Sequence, residues 1–505
     1  MAGDGFLLGF DVGSSSVKAT LLDAGSGKAV ASATSPKTEL EIRSPRPGWA
    51  EQDPETWWTH AVAAAREIGE RAGGRMAAVT GIGIAYQMHG LVLLDKAGQV
   101  LRPSIIWCDS RAVETGRRAF EAIGEKACLE RLLNSPGNFT ASKLAWVKEN
   151  EPDVFSRVHK AMLPGDYLAW RMTGRMSTTP SGLSEMILWD FKDGAPADVV
   201  LRHYGIPAVF LPEVVPTFSD QGRLTDAAAA ELGVGRGAVV GYRAGDQPNN
   251  AFSLKVLEPG EAAATAGTSG VVYGVGDSPR FDARSRVNSF LHVTSTEAAP
   301  RLGVLLCLNG TGSLYRWVRQ LLAAGAPAGG APLSYDALNA LAARSPVGAD
   351  GLSVLPYGNG AERTLDNANP GGAVVGLDFN RHGAAHLLRA SQEGIVFALR
   401  HGLEIMAGMG MEAHTVRAGD ANMFRSALFG ECFASATGAR VELFDTDGSQ
   451  GAARGAGVGT RLYASPAEAF RGLAAVRTVE PRRELRQAYA DAYGRWGEAL
   501  RRILG

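Results

Sequence analysis

The first apolar stretch of the chain ends in a run of small polar residues. Residues 6–12 (FLLGFDV) are apolar around a single aspartate, a pattern typical of a buried strand. The small turn 13–16 (GSSS) follows, and residues 17–22 (VKATLL) form a second, largely apolar run. This order of strand, small turn and strand predicts a β-hairpin.

Helical and extended patterns alternate after this hairpin. Asp53 and Pro54 suit the N-cap and the first position of a helix, which the pattern extends to the glycines at 73–74. A strand is predicted at about residues 78–85, and further helices at 312–324, about 383–406 and 482–503. The alternation predicts an α/β fold.

The opening pattern returns in the second half of the chain. Residues 261–266 (EAAATA) form a strand-like run, and the turn 267–270 (GTSG) leads into the apolar segment VVYGV. Two such hairpins about 250 residues apart indicate a duplicated architecture. At 505 residues the chain also exceeds what one core serves, so we predict domains 1–240 and 241–505 with a cleft between them.

Composition narrows the class of partner. The 51 basic and 52 acidic residues nearly balance, and no basic block indicates a nucleic-acid or membrane surface. The four cysteines lie far apart, without C-x-x-C spacing, and no apolar run approaches 18 residues. We therefore expect a cytoplasmic protein with reduced thiols that binds small molecules. Its oligomeric state stays open, with a homodimer as one alternative.

Both hairpin turns have the composition of a phosphate site. The first offers backbone N–H groups and hydroxyls, with a carboxylate for Mg²⁺ and an ammonium close by; its candidate residues are Asp11, Gly13, Ser14, Ser15 and Lys18. The second offers Gly267 and Thr268. An ordinary tight turn is the alternative for each, but two facing turns can hold a polyphosphate from both sides. No Walker A or G-x-G-x-x-G sequence occurs, so a P-loop or dinucleotide site is not predicted.

The order of short motifs along nearly the whole chain resembles the FGGY carbohydrate kinases, and within them the xylulokinases. The motifs are FDVGSSSVKA at the start, QMHG (87–90), WCDSR (107–111), PGDYL (164–168) with MTG (172–174), AGDQ (244–247), GTSG (267–270) and the run GLSVLPYGNGAERTLDNANPGGAVVGL. Each is weak alone, and seven in order are specific. The resemblance implies two ribonuclease-H-like, actin-like ATPase domains that flank a deep cleft.

The resemblance also implies roles for single residues. Asp246 matches the family's catalytic base, which accepts the proton of the sugar hydroxyl as that hydroxyl attacks ATP. Positions implied to line the sugar site are Gln87, Met88, His89, Trp107, Asp109 and Gln247. Taken alone, His89 could be an ordinary surface or satisfied core histidine, Trp107 a core residue and Gly245-Asp246 a turn. Mg²⁺ and ATP are the implied cofactors.

Two segments depart from the family pattern. Arg243-Ala244-Gly245-Asp246-Gln247 stands where many relatives have Gly-Gly-Gly-Asp-Asn, which predicts an acceptor pocket of different size. The adenosine segment at 417–426 has fewer glycines and about two extra residues relative to the pattern of these kinases, and Gly419 and Asn422 are its candidate nucleotide contacts.

Other acceptors fit the same chemistry, because a few cleft residues decide which sugar binds. The alternatives to D-xylulose are ribulose, fuculose, gluconate, erythritol and glycerol. A more distant alternative is an actin-like ATP-binding protein that switches or polymerises without phosphorylating a sugar.

Overall fold

A computed structural model describes residues 5–324 and 333–505 of the chain. The strands in chain order are β1 (Phe6–Val12), β2 (Val17–Asp23), β3 (Ala29–Ser35), β4 (Glu51–Gln52), β5 (Val79–Tyr86), β6 (Val92–Leu94), β7 (Ser104–Ile105), β8 (Lys160–Met162), β9 (Ser177–Thr178), β10 (Trp189–Asp190), β11 (Ala195–Pro196), β12 (Glu213–Val214), β13 (Val239–Gly245), β14 (Glu261–Ala266), β15 (Gly270–Gly276), β16 (Asn288–Leu291), β17 (Leu302–Leu308), β18 (Ser353–Tyr357), β19 (Gly371–Val375), β20 (Thr415–Gly419), β21 (Arg440–Phe444) and β22 (Ala475–Val479).

The helices surround these strands. In chain order they are α1 (Pro54–Ala72), α2 (Val113–Ile123), α3 (Glu125–Leu132), α4 (Thr140–Asn150), α5 (Pro152–Ser156), α6 (Pro164–Thr173), α7 (Pro180–Met186), α8 (Asp198–Tyr204), α9 (Asp226–Leu232), α10 (Asp246–Ser253), α11 (Gly312–Ala324), α12 (Tyr335–Ala342), α13 (Ala384–Gly408), α14 (Ala427–Thr437), α15 (Gly448–Gly459) and α16 (Arg486–Leu504). The predicted starts and ends of α1, α11, α13 and α16 agree with these bounds to within a few residues.

The two large sheets share one order of strands. The first is β13-β5-β1-β2-β3, with an antiparallel β1–β2 hairpin and with β5 and β13 added in parallel. The second contains β17-β15-β14-β20-β21 in the same arrangement, with β16 and β22 at its edges. The predicted α/β fold and its duplicated hairpins are confirmed. Two main clusters of buried apolar side chains pack on the sheets, and the first cluster also includes Tyr273 and Phe290 of the second sheet.

One helix of the second half lies directly on the sheet of the first half. α15 (GSQGAARGAGVG) contacts β1, β5 and β13, and each of these strands has a glycine at the contact. A Cβ atom on Gly83 would lie 1.8 Å from the Ala452 carbonyl oxygen, and one on Gly9 would lie 1.9 Å from that of Ser449. The small residues of α15 and the glycines of the strands therefore let backbone approach backbone.

The strand β13 begins one residue before the predicted domain boundary at 240. It pairs with β5, so the first sheet continues as far as Gly245. The division of the chain into 1–240 and 241–505 stays a prediction.

Strand β16 joins the second sheet to the first half of the chain. The Asn134 side chain exchanges two hydrogen bonds with the Ser289 backbone, at 2.6 and 3.0 Å. On α7, the Ser184 hydroxyl accepts from the Leu291 N–H at 3.0 Å, and the Ser181 hydroxyl donates to the Leu291 carbonyl at 3.1 Å. These bonds fix α7 against β16, beside the site described next.

Candidate active site

The first hairpin turn is closed and supported by neighbouring residues. The Gly13 N–H donates to the Ser16 carbonyl at 3.0 Å. The Gln52 side chain donates to the Ser14 carbonyl at 2.7 Å, and the Trp107 indole N–H donates to the Ser14 hydroxyl at 3.4 Å. Trp107 thus joins the turn predicted for phosphate to the segment predicted for sugar. Ser15, at the tip of the turn, is exposed.

Lys18 is paired with an aspartate that caps α15. Its ammonium donates to the Asp447 carboxylate at 2.7 Å, and Asp447 also accepts from the Ser449 hydroxyl at 2.6 Å and the Gln450 N–H at 3.0 Å. Burial acts to raise the pKa of Asp447, but these donors and the Lys18 charge hold it below its usual range. Lys18 therefore reaches the turn region with its charge already partnered.

Two buried carboxylates, near the end of β1 and at the start of α10, have raised pKa values. Burial, followed by the Asp447 charge, raises the pKa of Asp11 to about 6, although Lys18 opposes the shift. Burial and the Asp11 charge raise the pKa of Asp246 to about 7, and hydrogen bonds from Gln247 act in the opposite direction. The end of β1 thus faces the start of α10, and the two acids repel one another.

Asp11 has the chemistry of a divalent-cation ligand. Within the described residues, no three or more His, Cys, Asp and Glu side chains converge on a common point. Mg²⁺ commonly binds through one or two carboxylates and completes its shell with waters and substrate phosphates. Asp11 fits that arrangement, because a cation beside it would offset the Asp447 charge that, after burial, raises its pKa.

Replacing Asp11 by asparagine should stabilise the protein above pH 6. The folded-state pKa of about 6 exceeds the value of 3.8 that is usual for an aspartate, so the folded protein holds a proton that the unfolded chain releases. Wild-type stability should therefore fall as the pH rises from about 4 to 6, and the variant should escape this loss. We expect a gain of about 1–3 kcal/mol at pH 8 and almost none at pH 4.

Urea denaturation at both pH values measures this difference. Asp277→Asn is the matched control, since Asp277 is exposed. An Asp11→Asn variant that is less stable than wild type at pH 8 would contradict the electrostatic account of this site.

The second hairpin turn is bound to the N-terminus of α11. The Gly267 carbonyl accepts from the Gly312 N–H at 2.7 Å and from the Thr311 hydroxyl at 2.8 Å. The Thr268 carbonyl accepts from the Ser313 N–H at 3.2 Å. A Cβ atom on Gly312 would lie 2.4 Å from the Gly267 carbonyl oxygen, so this approach needs glycine.

A cavity of about 580 Å³ opens beside this second turn. Its lining comprises Ala266, Gly267, Thr268, Gly312, Ser313, Tyr315, Arg316, Tyr335, Asp336, Asn339, Asn422, Met423, Arg425 and Ser426. Three predicted nucleotide residues, Gly267, Thr268 and Asn422, therefore meet at one cavity. Gly419 is absent from this lining; it ends β20 and pairs with Phe444 of β21.

A buried polar network fixes one wall of the cavity. The Gln392 amide donates to the Tyr315 hydroxyl at 2.9 Å and to the Asn339 carbonyl oxygen at 3.0 Å. Tyr315 also donates to that oxygen at 2.9 Å, and Ser426 donates to Gln392 at 2.9 Å. The Asn339 oxygen is therefore occupied, which leaves its NH₂ group as the part that can donate to a bound base.

The residues predicted to line the sugar site differ in their burial and contacts. Met88 is buried against Gly245, where a Cβ atom would lie 2.6 Å from the Met88 side chain. His89 borders the same place, with its ring 4.8 Å from Phe139 and 5.5 Å from Phe290, centroid to centroid. Trp107 is 53% exposed, so the core alternative does not hold for it. Gln247 follows Asp246 on α10 and hydrogen-bonds its carboxylate.

Gln87 and Asp109, also predicted to line the sugar site, are bound to other protein groups. Gln87 donates to the Gln52 side chain at 2.9 Å, so it supports the residue that holds the first turn. The Asp109 carboxylate accepts from the Ala50 N–H at 2.6 Å and from two nitrogens of the Arg111 side chain. Both are buried. Their contacts indicate that they hold neighbouring residues of the site in place.

Several residues at the site have no counterpart in the sequence predictions. They are Lys143, Glu185, Phe139, Phe290, Cys307 and Arg363. The Lys143 ammonium donates to the His89 carbonyl at 2.8 Å and the Ile106 carbonyl at 2.9 Å. Burial lowers the pKa of Lys143 to about 7, and no local pattern marks this lysine, which lies inside an ordinary helix.

Two family descriptions together cover most of the chain. The N-terminal domain model of the FGGY family of carbohydrate kinases matches residues 6–253, and the C-terminal domain model matches residues 262–459. This chain belongs to the FGGY carbohydrate kinases. As a member of that family, it is a carbohydrate kinase, a phosphotransferase that acts on an alcohol group.

Known FGGY kinases resemble it along nearly their whole length. Xylulose kinase of Klebsiella pneumoniae is 32% identical over 451 residues, which cover 89% of this chain and 88% of that protein. The solved xylulose kinase of Rhodospirillum rubrum is 26% identical, with a TM-score of 0.86 and 99% of both chains covered.

A gluconate kinase from Lactobacillus acidophilus shares the same fold. It is 21% identical, with a TM-score of 0.88 over 99% of this chain and 98% of that one. In the described residues of the present chain, no helix is long and apolar enough to cross a membrane.

Proposed function

We propose that this FGGY kinase transfers the γ-phosphoryl group of ATP to D-xylulose and forms D-xylulose 5-phosphate and ADP. One observation carries the proposal. Asp246, with a pKa raised to about 7, begins α10, interacts with Asp11 beside the first hairpin turn and directly follows Gly245, which packs on Met88. A sugar bound at Met88 would then meet a proton acceptor next to the place proposed for the phosphates.

ATP would bind mainly through the second half of the chain. The 580 Å³ cavity beside Gly267 and Thr268 accommodates an adenosine group, and the Asn339 NH₂ offers it a donor. From that cavity the phosphates would run between the second turn and the first turn at Gly13 and Ser14. Backbone N–H groups and hydroxyls at the turns would meet their charge.

Asp11 would hold Mg²⁺ in that complex, and the ion would neutralise part of the charge on the phosphates. Domain closure over the filled cleft would exclude water, the competing phosphoryl acceptor. We propose Asp11 as a metal-binding residue on the charge argument given above. Gly419, which lies outside the cavity lining, would act through the placement of β20.

Asp246 would act as general base. Its carboxylate takes the proton of the terminal sugar hydroxyl, whose oxygen bonds to the γ-phosphorus. The bond from that phosphorus to the β–γ bridging oxygen breaks, and ADP leaves with the electron pair. Met88 would pack on the carbon skeleton of the sugar and His89 would hydrogen-bond a hydroxyl.

ADP release from Mg-ATP, measured across a panel of acceptors, tests the proposal. The panel is D-xylulose, D- and L-ribulose, L-fuculose, gluconate, erythritol and glycerol. We expect kcat/KM for D-xylulose to exceed every other value by about tenfold or more, since one well-placed hydrogen bond is enough for such discrimination. A higher value for another member would keep the kinase and replace the acceptor.

The actin-like alternative makes the opposite prediction. A switch or filament protein would hydrolyse ATP at a rate that no sugar changes and would assemble in a nucleotide-dependent way. We propose a cytoplasmic enzyme of two domains divided near residue 240, and light scattering with and without ATP would report whether it is a homodimer and whether it polymerises.

A further inference from the structure

The His89 backbone has a conformation that needs support. Its φ of 61° lies in the left-handed region, which side chains other than glycine seldom adopt. The Glu185 carboxyl accepts a hydrogen bond from the His89 N–H at 3.2 Å, and Lys143 donates to the His89 carbonyl at 2.8 Å. The peptide groups on both sides of His89 are therefore hydrogen-bonded to side chains of two helices, α7 and α4.

The ring of His89 has a defined hydrogen-bond pattern as well. Its Nδ1 lies 3.0 Å from the Glu185 backbone carbonyl, which can only accept. The proton of a neutral ring must therefore be on Nδ1, and Nε2 keeps a lone pair. Nε2 has no hydrogen-bond partner in the described part of the chain, and the side chain is 17% exposed.

The charges around the ring keep it neutral. Burial, followed by the positive charges of Lys143 and Arg363, lowers the pKa of His89 to about 3, against the effect of the Glu185 carbonyl. The edge of Phe139 and the ring of Phe290 enclose it further. A ring that stays neutral at every working pH keeps one donor and one acceptor.

Glu185 is a buried acid that uses only one of its two carboxyl oxygens to bind His89. It is 2% exposed, its Oε1 has no hydrogen-bond partner within the described residues, and the carboxylates of Asp166 and Asp246 lie nearby. Burial is the largest cause that raises its pKa well above the usual range, while the Tyr86 hydroxyl and the His89 N–H oppose the shift. The carboxyl therefore supports the His89 backbone from a buried position close to Asp246.

We propose that Glu185 is a positioning residue that fixes the neutral His89 ring with Nδ1 protonated and Nε2 facing the sugar as an acceptor. The pocket would then select an acceptor that offers a donating hydroxyl at this position. The proposal rests on the proposed contact between His89 and the sugar. Because α7 also bonds to β16, the second half of the chain helps to hold Glu185 in place.

NMR of protein labelled with ¹⁵N-histidine tests the ring directly, without any sugar. Two-bond proton–nitrogen correlations distinguish the tautomers, and His89→Gln identifies the signals among the nine histidines. We expect the Nδ1-protonated form of His89, unchanged between pH 5 and 8. A ring protonated on Nε2, or one that titrates in this range, would overturn the proposal.

Kinetics of Glu185 variants test the effect on the sugar. Glu185→Ala removes the acceptor for the His89 N–H, so KM for the sugar should rise about tenfold or more, with KM for ATP within about twofold. Glu185→Gln keeps an acceptor oxygen for the His89 N–H and should stay within about threefold of wild type. Glu121→Ala, an exposed acid on α2, should change neither constant.

The remaining outcomes are also decisive. Unchanged KM for the sugar in Glu185→Ala would overturn the positioning role. If Glu185→Ala does not fold, Glu185→Gln and the wild-type spectrum decide the matter. If no sugar of the panel is phosphorylated, the proposed function fails, and the tautomer measured by NMR still supports or overturns this inference separately.

Discussion

Asp246→Ala is expected to lower kcat by about 10²- to 10⁴-fold, with the affinity for Mg-ATP within about threefold of wild type. The loss reflects a missing proton acceptor, since a neutral sugar hydroxyl attacks phosphorus poorly. The adenosine cavity lies beside the second turn and does not include Asp246, so nucleotide binding should persist. Steady-state ADP release and calorimetric titration with Mg-ATP measure the two quantities.

The pH dependence of kcat/KM provides a second test of the role of Asp246. The base must be ionised, and burial together with Asp11 raises its pKa to about 7 in the free enzyme. Wild-type kcat/KM should therefore fall about tenfold per pH unit below 7 and level off above it. Asp277→Ala serves as the control because Asp277 is exposed. An Asp246→Asn variant that retains more than about a tenth of the rate would exclude the base assignment.

Gly83→Ala should destabilise the protein by about 2–4 kcal/mol or prevent folding. The added Cβ atom would lie 1.8 Å from the Ala452 carbonyl oxygen, and backbone cannot rotate away as a side chain can. α15 would have to shift from the first sheet. Because Asp447 caps α15 and binds Lys18, the shift should also raise KM for ATP.

Thermal and urea denaturation, with ADP release from the folded fraction, measure both effects of Gly83→Ala. The matched control is Gly494→Ala on α16, where the added Cβ atom would meet no heavy atom within 4 Å. That variant should be as stable as wild type or slightly more so, since alanine favours a helix. Equal stability of Gly83→Ala and wild type would show that α15 is not packed as described.

The hairpins could be predicted because they are local. Each is encoded by two adjacent apolar runs around a Gly/Ser/Thr turn, and the structure has β1–β2 and β14–β15 at those places. The identity of Met88 and His89 as site residues came from a motif. The residue that holds the His89 backbone could not be predicted from a motif. This residue, Glu185, lies 96 positions later in a helix without a distinctive sequence pattern.

Asp109 shows the opposite limit of motif reasoning. Its place between Trp107 and Arg111 implied the sugar side, and Trp107 does lie near the first turn. The Asp109 carboxylate is nevertheless occupied by the adjacent Arg111 and by Ala50. A motif can predict that a residue lies near a site. The contacts of its side chain in the folded protein are needed to tell whether it faces the ligand or supports a neighbouring residue.

The position of α15 on the first sheet also bears on biosynthesis. Domains commonly fold in order as they leave the ribosome. Here β1, β5 and β13 are made early, but the helix that covers their glycines ends only at Gly459. The first sheet can therefore be covered only after most of the second half of the chain has been translated. A nascent chain of this protein would carry an uncovered sheet surface through much of its synthesis, and its two halves would not mature independently.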